Sequence, residues 1–190
     1  MTEDRNTKLS WANCITTPCP ATLNKIITVF NDKNSPKAIV GMKVGFCADN
    51  GLVCLLNCVD KQNSLYRYLT KYKGFVVNIS TLEVLEKCCQ DIPVNNDLSY
   101  SKAEIINAPR IDDALVSLGC EILWNKEYYQ GSNNCLFCAK VLETSVNETY
   151  FDEEGFVKPE KQVYVERLLA NLNPDTGKPY ERHICSVETE

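Results

Sequence analysis

The chain has 190 residues, 44% of them hydrophobic, with 25 acidic and 20 basic side chains and a net charge of −5. These values fit one globular domain with a core of its own. The acidic balance argues against a nucleic-acid-binding protein, because such proteins need a basic face. No apolar run approaches the roughly 18 residues of a membrane helix. We therefore expect neither nucleic acid nor a membrane as a partner.

Eleven cysteines are present, which is an odd number and a high one. A secreted disulfide scaffold would have an even number and a signal peptide, whereas residues 1–10 are polar and carry both charge signs. The sequence therefore predicts reduced thiols in the cytoplasm, most of them acting as small hydrophobic side chains.

The first part of the chain has the pattern of β-strands. Residues 22–30 are rich in β-branched side chains and are followed by a turn cluster at 31–36. Residues 37–46 resume the apolar pattern up to a second turn at 48–51. Residues 52–59 are almost continuously apolar and predict a strand buried on both faces. We expect these three strands to form a meander joined by hairpins.

The period then changes to that of helices. Residues 63–72 place apolar side chains at helical spacing and predict a helix, which a strand at 75–79 follows. A second short helix is expected over 82–89, with Ser80 or Thr81 as its N-cap.

The second half returns to strands. Residues 91–101 predict a loop, 103–107 a short strand and 114–124 a longer one. A polar hairpin loop at 125–134 precedes the long strand at 135–146. The sum is six or seven antiparallel strands with two inserted helices, a pattern that fits either a closed barrel or a sandwich.

Cys135 and Cys138 form a CxxC motif, which is typical of zinc sites and redox dithiols. No second cysteine pair with comparable spacing accompanies it, and His183 is the single histidine. On a strand, residues three apart point to opposite faces, so the sulfurs would diverge. Two structural thiols are the favoured interpretation. A thiol or metal redox sensor is kept as an alternative, and no catalytic residue is assigned.

The loop at residues 60–64 joins a predicted buried strand to a helix start. A helix N-terminus has unpaired N–H groups and a partial positive charge, both of which suit a phosphate. Lys61 adds charge, and Asn63 and Ser64 add neutral donors. From the residues alone, an ordinary helix cap is the favoured interpretation and a phosphate site is the alternative.

Several segments in order resemble the flavin reductase-like family, whose members bind FMN in a split β-barrel. They are residues 18–23, 37–49, 61–69, 74–79, 85–89, 102–111, 118–122, 136–146 and 152–155. The resemblance covers about 14–160 and implies a mostly β, antiparallel, Greek-key-like split barrel with short inserted helices. Residues 1–13 would then be a polar arm, and 161–190 an extension packed on the barrel or on a partner subunit.

The resemblance also implies a homodimer with two FMN sites near the subunit interface. The flavin ring would lie along the second strand, with Cys47 at the turn beside it, and the phosphate would meet the loop described above. Asn134 falls where relatives often have a histidine, and Val44 where they often have an aromatic residue. The residues implied to bind the cofactor are Ala38, Met42, Lys43, Val44, Gly45, Cys47, Lys61, Asn63, Ser64 and Asn134.

The activity that the resemblance implies is that of an FMN-dependent oxidoreductase. NADH or NADPH would pass a hydride to the flavin, and the electrons would go on to oxygen, iron, a nitro compound or a protein partner. The alternative on the same fold is a flavoredoxin-like electron carrier whose FMN is reduced by a protein partner.

Overall fold

The computed structural model describes residues 25–40, 42–48, 52–89 and 98–153, together with two short strands at Val165–Glu166 and Cys185–Ser186. The predicted N-terminal arm lies outside these residues, as does the C-terminal extension apart from the two short strands. The domain boundaries therefore stay predictions.

One antiparallel sheet of seven strands forms the body of the protein. The chain order of the elements is β1 (Lys25–Phe30), β2 (Pro36–Ile39), β3 (Lys43–Ala48), β4 (Leu52–Asp60), α1 (Ser64–Tyr72), β5 (Gly74–Ile79), α2 (Leu82–Cys89), β6 (Tyr100–Lys102), β7 (Pro109–Ile111), β8 (Val116–Glu127) and β9 (Asn134–Val146). The strand order in the sheet is β2-β1-β5-β8-β9-β4-β3, while β6 pairs with β7 in a separate hairpin.

The first and last strands of this order, β2 and β3, follow each other in the chain and are joined by only residues 40–42. So short a link requires the two edges of the sheet to come near each other, and the sheet therefore curls into a barrel. In the described residues β2 pairs only with β1, and β3 pairs only with β4. We call the gap between these two edges the split.

The interior of the barrel is filled by alternate side chains of the strands and by one helix. Phe75, Leu118 and Phe137 are fully buried there. Helix α1 adds Leu65 and Leu69 to the same cluster, which places its apolar face against the strands. Asn63 begins this helix by accepting from the N–H of Leu65 at 2.9 Å, and Lys73 ends it with a left-handed backbone.

The outer side of β1 and β5 is covered by α2 and by the β6–β7 hairpin. We call this region the closed seam. All six residues of β5 are buried, including Asn78. The Asn78 amide donates to the carbonyl of Ile26 and to Thr28 Oγ1, and it accepts from the N–H of Ile111 and from Ser117 Oγ. One side chain thus joins three strands of the barrel to the hairpin.

Several predicted elements need correction. Residues 37–46 are not one strand: they hold the end of β2, a link, and the start of β3, on opposite edges of the sheet, so the expected meander is wrong. Residues 103–107 are irregular, and the strands of that region are β6 and β7. The loop expected over 125–134 is shorter, because β8 continues to Glu127. β4 is buried on one face only, with Cys58 exposed at a bulge.

No helix among the described residues is long and apolar enough to span a lipid bilayer.

Candidate functional site

The split places most of the predicted ring-binding residues along its two borders. Ala38 lies on β2, Met42 on the link, and the others on β3. Val44 is buried and points into the barrel, so it presents only its backbone. Lys43 and Cys47 are exposed. An edge strand leaves half of its N–H and C=O groups without a ladder partner, and this row of groups can bind a ligand.

Open space lies over β3 at Gly45. A Cβ atom built on this glycine would meet no other atom within 4 Å. Its cross-strand partner Leu55 is half-buried on the outer face of the sheet. The surface beside Gly45 therefore has room for a flat group next to the backbone.

A lysine on β2 contacts the loop before α1, and this lysine is not among the site residues that the sequence predicted. Lys37 Nζ on β2 donates to Ser64 Oγ at 3.0 Å, and the same ammonium lies 5.6 Å from the ring centroid of Tyr68. The helix start is thus next to the β2 border of the split. The linear sequence holds no signal for this contact, because 27 residues separate the two side chains.

Lys61 lies on the other side of the same loop and is engaged by a carboxylate. Its ammonium forms an ion pair with Glu127, and its N–H donates to the carbonyl of Asn133 at 2.8 Å. The hydrogen bond between the two side chains raises the pKa of Lys61 and lowers that of Glu127, which also accepts from the N–H of Gly131. An arriving phosphate would therefore compete with Glu127 for this lysine.

Asn134 pairs directly with Asp60, so it lies beside the loop, and its proximity to a flavin stays a prediction. The turn between β8 and β9 adds Tyr128, which sequence reasoning missed. Its hydroxyl accepts from the N–H of Cys58 at 2.9 Å and lies 3.4 Å from Asn57 Oδ1. Cys58 has a left-handed backbone, with φ of 58°. The tyrosine thus braces the bulge that leads from β4 into the loop, and its only sequence signal was an aromatic pair in a polar hairpin.

The structure brings the loop residues, Asn134 and the β2 border together through direct contacts. Lys43 lies near this group as well, because it pairs with Asn57 on β4, three residues before Asp60. Cys47 lies farther along β3, toward the end of the strand. These placements agree with one extended site along the split, but the binding roles stay predictions.

The CxxC thiols are not arranged for redox or metal chemistry. Cys135 belongs to the barrel core, whereas Cys138 is buried outside that cluster on the other face of β9. Burial raises the pKa of both thiols, which disfavours the reactive thiolate. Within the described residues no three cysteine, histidine or carboxylate side chains are grouped so that they could hold a metal ion.

Comparison with known proteins identifies the fold. No family model matches the sequence, and no curated protein matches it. Among solved structures, the flavoredoxin of Methanosarcina acetivorans is similar with a TM-score of 0.67 and 15% identity, over 89% of this chain and 86% of that one. The 2-nitrobenzoate 2-nitroreductase of Pseudomonas fluorescens has a TM-score of 0.64 and 16% identity, over 100% and 90%.

A third similar structure is the NADH:FAD oxidoreductase of Streptomyces globisporus, with a TM-score of 0.55 and 19% identity, over 67% of this chain and 77% of that one. At these identities the likeness shows the fold. The chain has the split-barrel fold of flavoredoxins and flavin reductases, which confirms the fold that the sequence predicts.

Proposed function

We propose that the protein is a flavin-dependent oxidoreductase that binds FMN in the split. The observation that carries this proposal is the split itself, with a strand edge that no described strand pairs with, open space at Gly45 and two lysines beside a helix start. The same fold is found in flavoredoxins, a nitroreductase and an NADH:FAD oxidoreductase, which supports flavin chemistry of this class.

The residues present fit a flavin. The bound flavin would supply hydride and single-electron transfer, which no side chain of the site provides. The backbone of residues 42–45 would bind the polar edge of the ring, and Gly45 would leave room for its face. The half-buried side chain of Met42 packs against the core and keeps this stretch of backbone in position.

The terminal phosphate would bind at the start of α1. Lys37 supplies positive charge there and contacts the hydroxyl of Ser64, the first residue of the helix. Lys61 would add its charge once the phosphate displaces Glu127. The phosphate of FMN carries close to two negative charges on one phosphorus centre, whereas the diphosphate of FAD carries one on each of two, so a compact cationic cluster at one helix start suits FMN better. This is our reason for proposing FMN rather than FAD.

NADH or NADPH is the proposed hydride donor. The proposed final acceptor of the electrons is a small molecule or a protein. We also propose a homodimer, as the resemblance implies. A second candidate is the flavoredoxin-like carrier, which uses the same site. The net charge of −5 favours the carrier, because an acidic protein is attracted to a basic partner surface.

Purification and a visible spectrum test the proposal. We expect the protein to bind FMN with a change in flavin absorbance and fluorescence, and to oxidise NADH or NADPH when an acceptor is supplied. FMN binding with almost no NAD(P)H oxidation would favour the carrier over the reductase. A protein that binds neither FMN nor FAD in a fluorescence titration would overturn both candidates.

A further inference from the structure

A cavity that is open to solvent lies away from the split, at the far end of β9. Its volume is about 430 Å³, within the usual range for sites that bind small molecules. It is bordered by the end of β7, the start of β8, the end of β9 and the short 3-10 helix Glu148–Tyr150. Asn134 begins β9 and Ser145 is near its end, which separates the two regions by about 35 Å along an extended strand.

A half-buried arginine forms one wall of this cavity. Arg110 donates from Nε to Ser101 Oγ at 2.7 Å and from Nη1 to Ser145 Oγ. Among the described residues it forms no ion pair, so its charge is held in place by neutral hydroxyl groups. A guanidinium fixed in this way, with N–H groups left over, is suited to bind a carboxylate.

Carboxylates lie close to the arginine on the same cavity. Ser101 Oγ accepts from Arg110 and donates to Asp112 Oδ1 at 2.6 Å, so the guanidinium and the Asp112 carboxylate lie within two hydrogen-bond lengths of each other. Glu148 lines the cavity as well, and both carboxylates are exposed. Neither forms an ion pair with a described residue. The cavity thus offers a positive and a negative group side by side.

We propose that this cavity binds a small zwitterion of the α-amino-acid type. The carboxylate of the ligand would bind Arg110, and its ammonium would bind Asp112 with Glu148 nearby. In such a ligand the carboxylate and the ammonium are attached to the same carbon, which matches the close spacing of the two groups of the protein. Thr144 and Asn147 also line the cavity, and they favour a ligand with a polar side chain. This site is separate from the proposed flavin site and does not depend on it.

Calorimetric titration of the full chain tests the proposal with four probes, L-serine, L-threonine, L-asparagine and L-glutamine. We expect saturable binding of at least one. Arg110→Gln and Asp112→Asn should each weaken it by about tenfold or more, because each removes a charged partner while keeping a polar group of similar size. Arg67→Gln is the matched control. Arg67 is an exposed arginine on α1 paired with Asp32, and its replacement should leave binding unchanged.

Two analogues separate a zwitterion from a singly charged ligand. If L-serine binds, ethanolamine lacks its carboxylate and 3-hydroxypropanoate lacks its ammonium, and both should bind about tenfold more weakly or not at all. No saturable binding by any of the four amino acids would overturn the proposal, as would an analogue that binds as tightly as L-serine. Should Arg110→Gln fail to fold, Asp112→Asn decides the question alone, because this carboxylate is exposed.

Discussion

The two sides of the barrel use their polar groups in opposite ways. At the closed seam every residue of β5 is buried, and Asn78 uses its amide for four hydrogen bonds within the protein. At the split, β2 and β3 each leave one edge without a described partner strand. The seam therefore supplies rigidity, and the split keeps backbone groups for a ligand. Loss of a polar group should affect stability at the seam and binding at the split.

The largest expected effect is at the seam. Asn78→Leu removes four hydrogen bonds and takes away the partner of buried groups, among them the N–H of Ile111 and the hydroxyl of Ser117. We expect the free energy of unfolding to fall by about 3 kcal/mol. Urea denaturation followed by circular dichroism measures this loss. Asn107→Leu, at an exposed position, is the control and should change stability by less than about 0.5 kcal/mol. Equal losses in the two variants would contradict the role of the seam.

At the split, Gly45→Val should weaken ligand binding and leave stability nearly unchanged. The new side chain enters open space, so stability should change little, since valine favours strands. It would occupy the room proposed for the flavin ring, and FMN affinity should fall by about tenfold or more, or about 1.4 kcal/mol. Glu121→Val adds the same side chain to an exposed position of β8 and should leave FMN affinity unchanged. Undiminished binding in Gly45→Val would place the ring elsewhere.

A smaller effect is expected at the phosphate end of the split. Ser64→Ala removes a hydroxyl that contacts Lys37, and it should weaken FMN binding by about 0.5–1.5 kcal/mol, the usual net value of one hydrogen bond. Riboflavin, which lacks the phosphate, is the matched control ligand. Its affinity should be the same for both proteins, and a parallel loss of riboflavin binding would mean that Ser64 acts on the ring or on the fold.

The last prediction concerns the hairpin that covers the seam. Burial raises the pKa of Tyr100 to about 12. Between pH 10 and 12 the folded protein keeps this proton, while the unfolded chain, with its ordinary pKa near 10, loses it. Stability from this group is therefore complete below pH about 10 and declines as the pH rises. Tyr100→Phe should lessen the decline in urea titrations across that interval, and an identical pH dependence in both proteins would contradict a raised pKa of this half-buried side chain.

The sequence by itself determined the class of the fold and the local elements with strong signals. Helix α1 lies within one residue of its predicted bounds, because Asn63 is a good N-cap and the apolar spacing is regular. The strands β5 and β9 were also predicted, because an alternating or continuous apolar pattern can be seen in the local sequence. The ordered set of motifs added the split barrel, which the periodicity alone did not distinguish from a sandwich.

Only the tertiary structure decided which segments form the two edges of the sheet and which side chains lie beside them. Residues 37–46 have one continuous apolar pattern, yet the chain changes edges within them, because closure of a barrel depends on all seven strands together. The contact of Lys37 with Ser64, the pairing of Lys61 with Glu127 and the contact of Arg110 with Ser145 follow from that closure and from the hairpin packed on it. Such contacts join residues that are distant in the chain, and no local pattern encodes them.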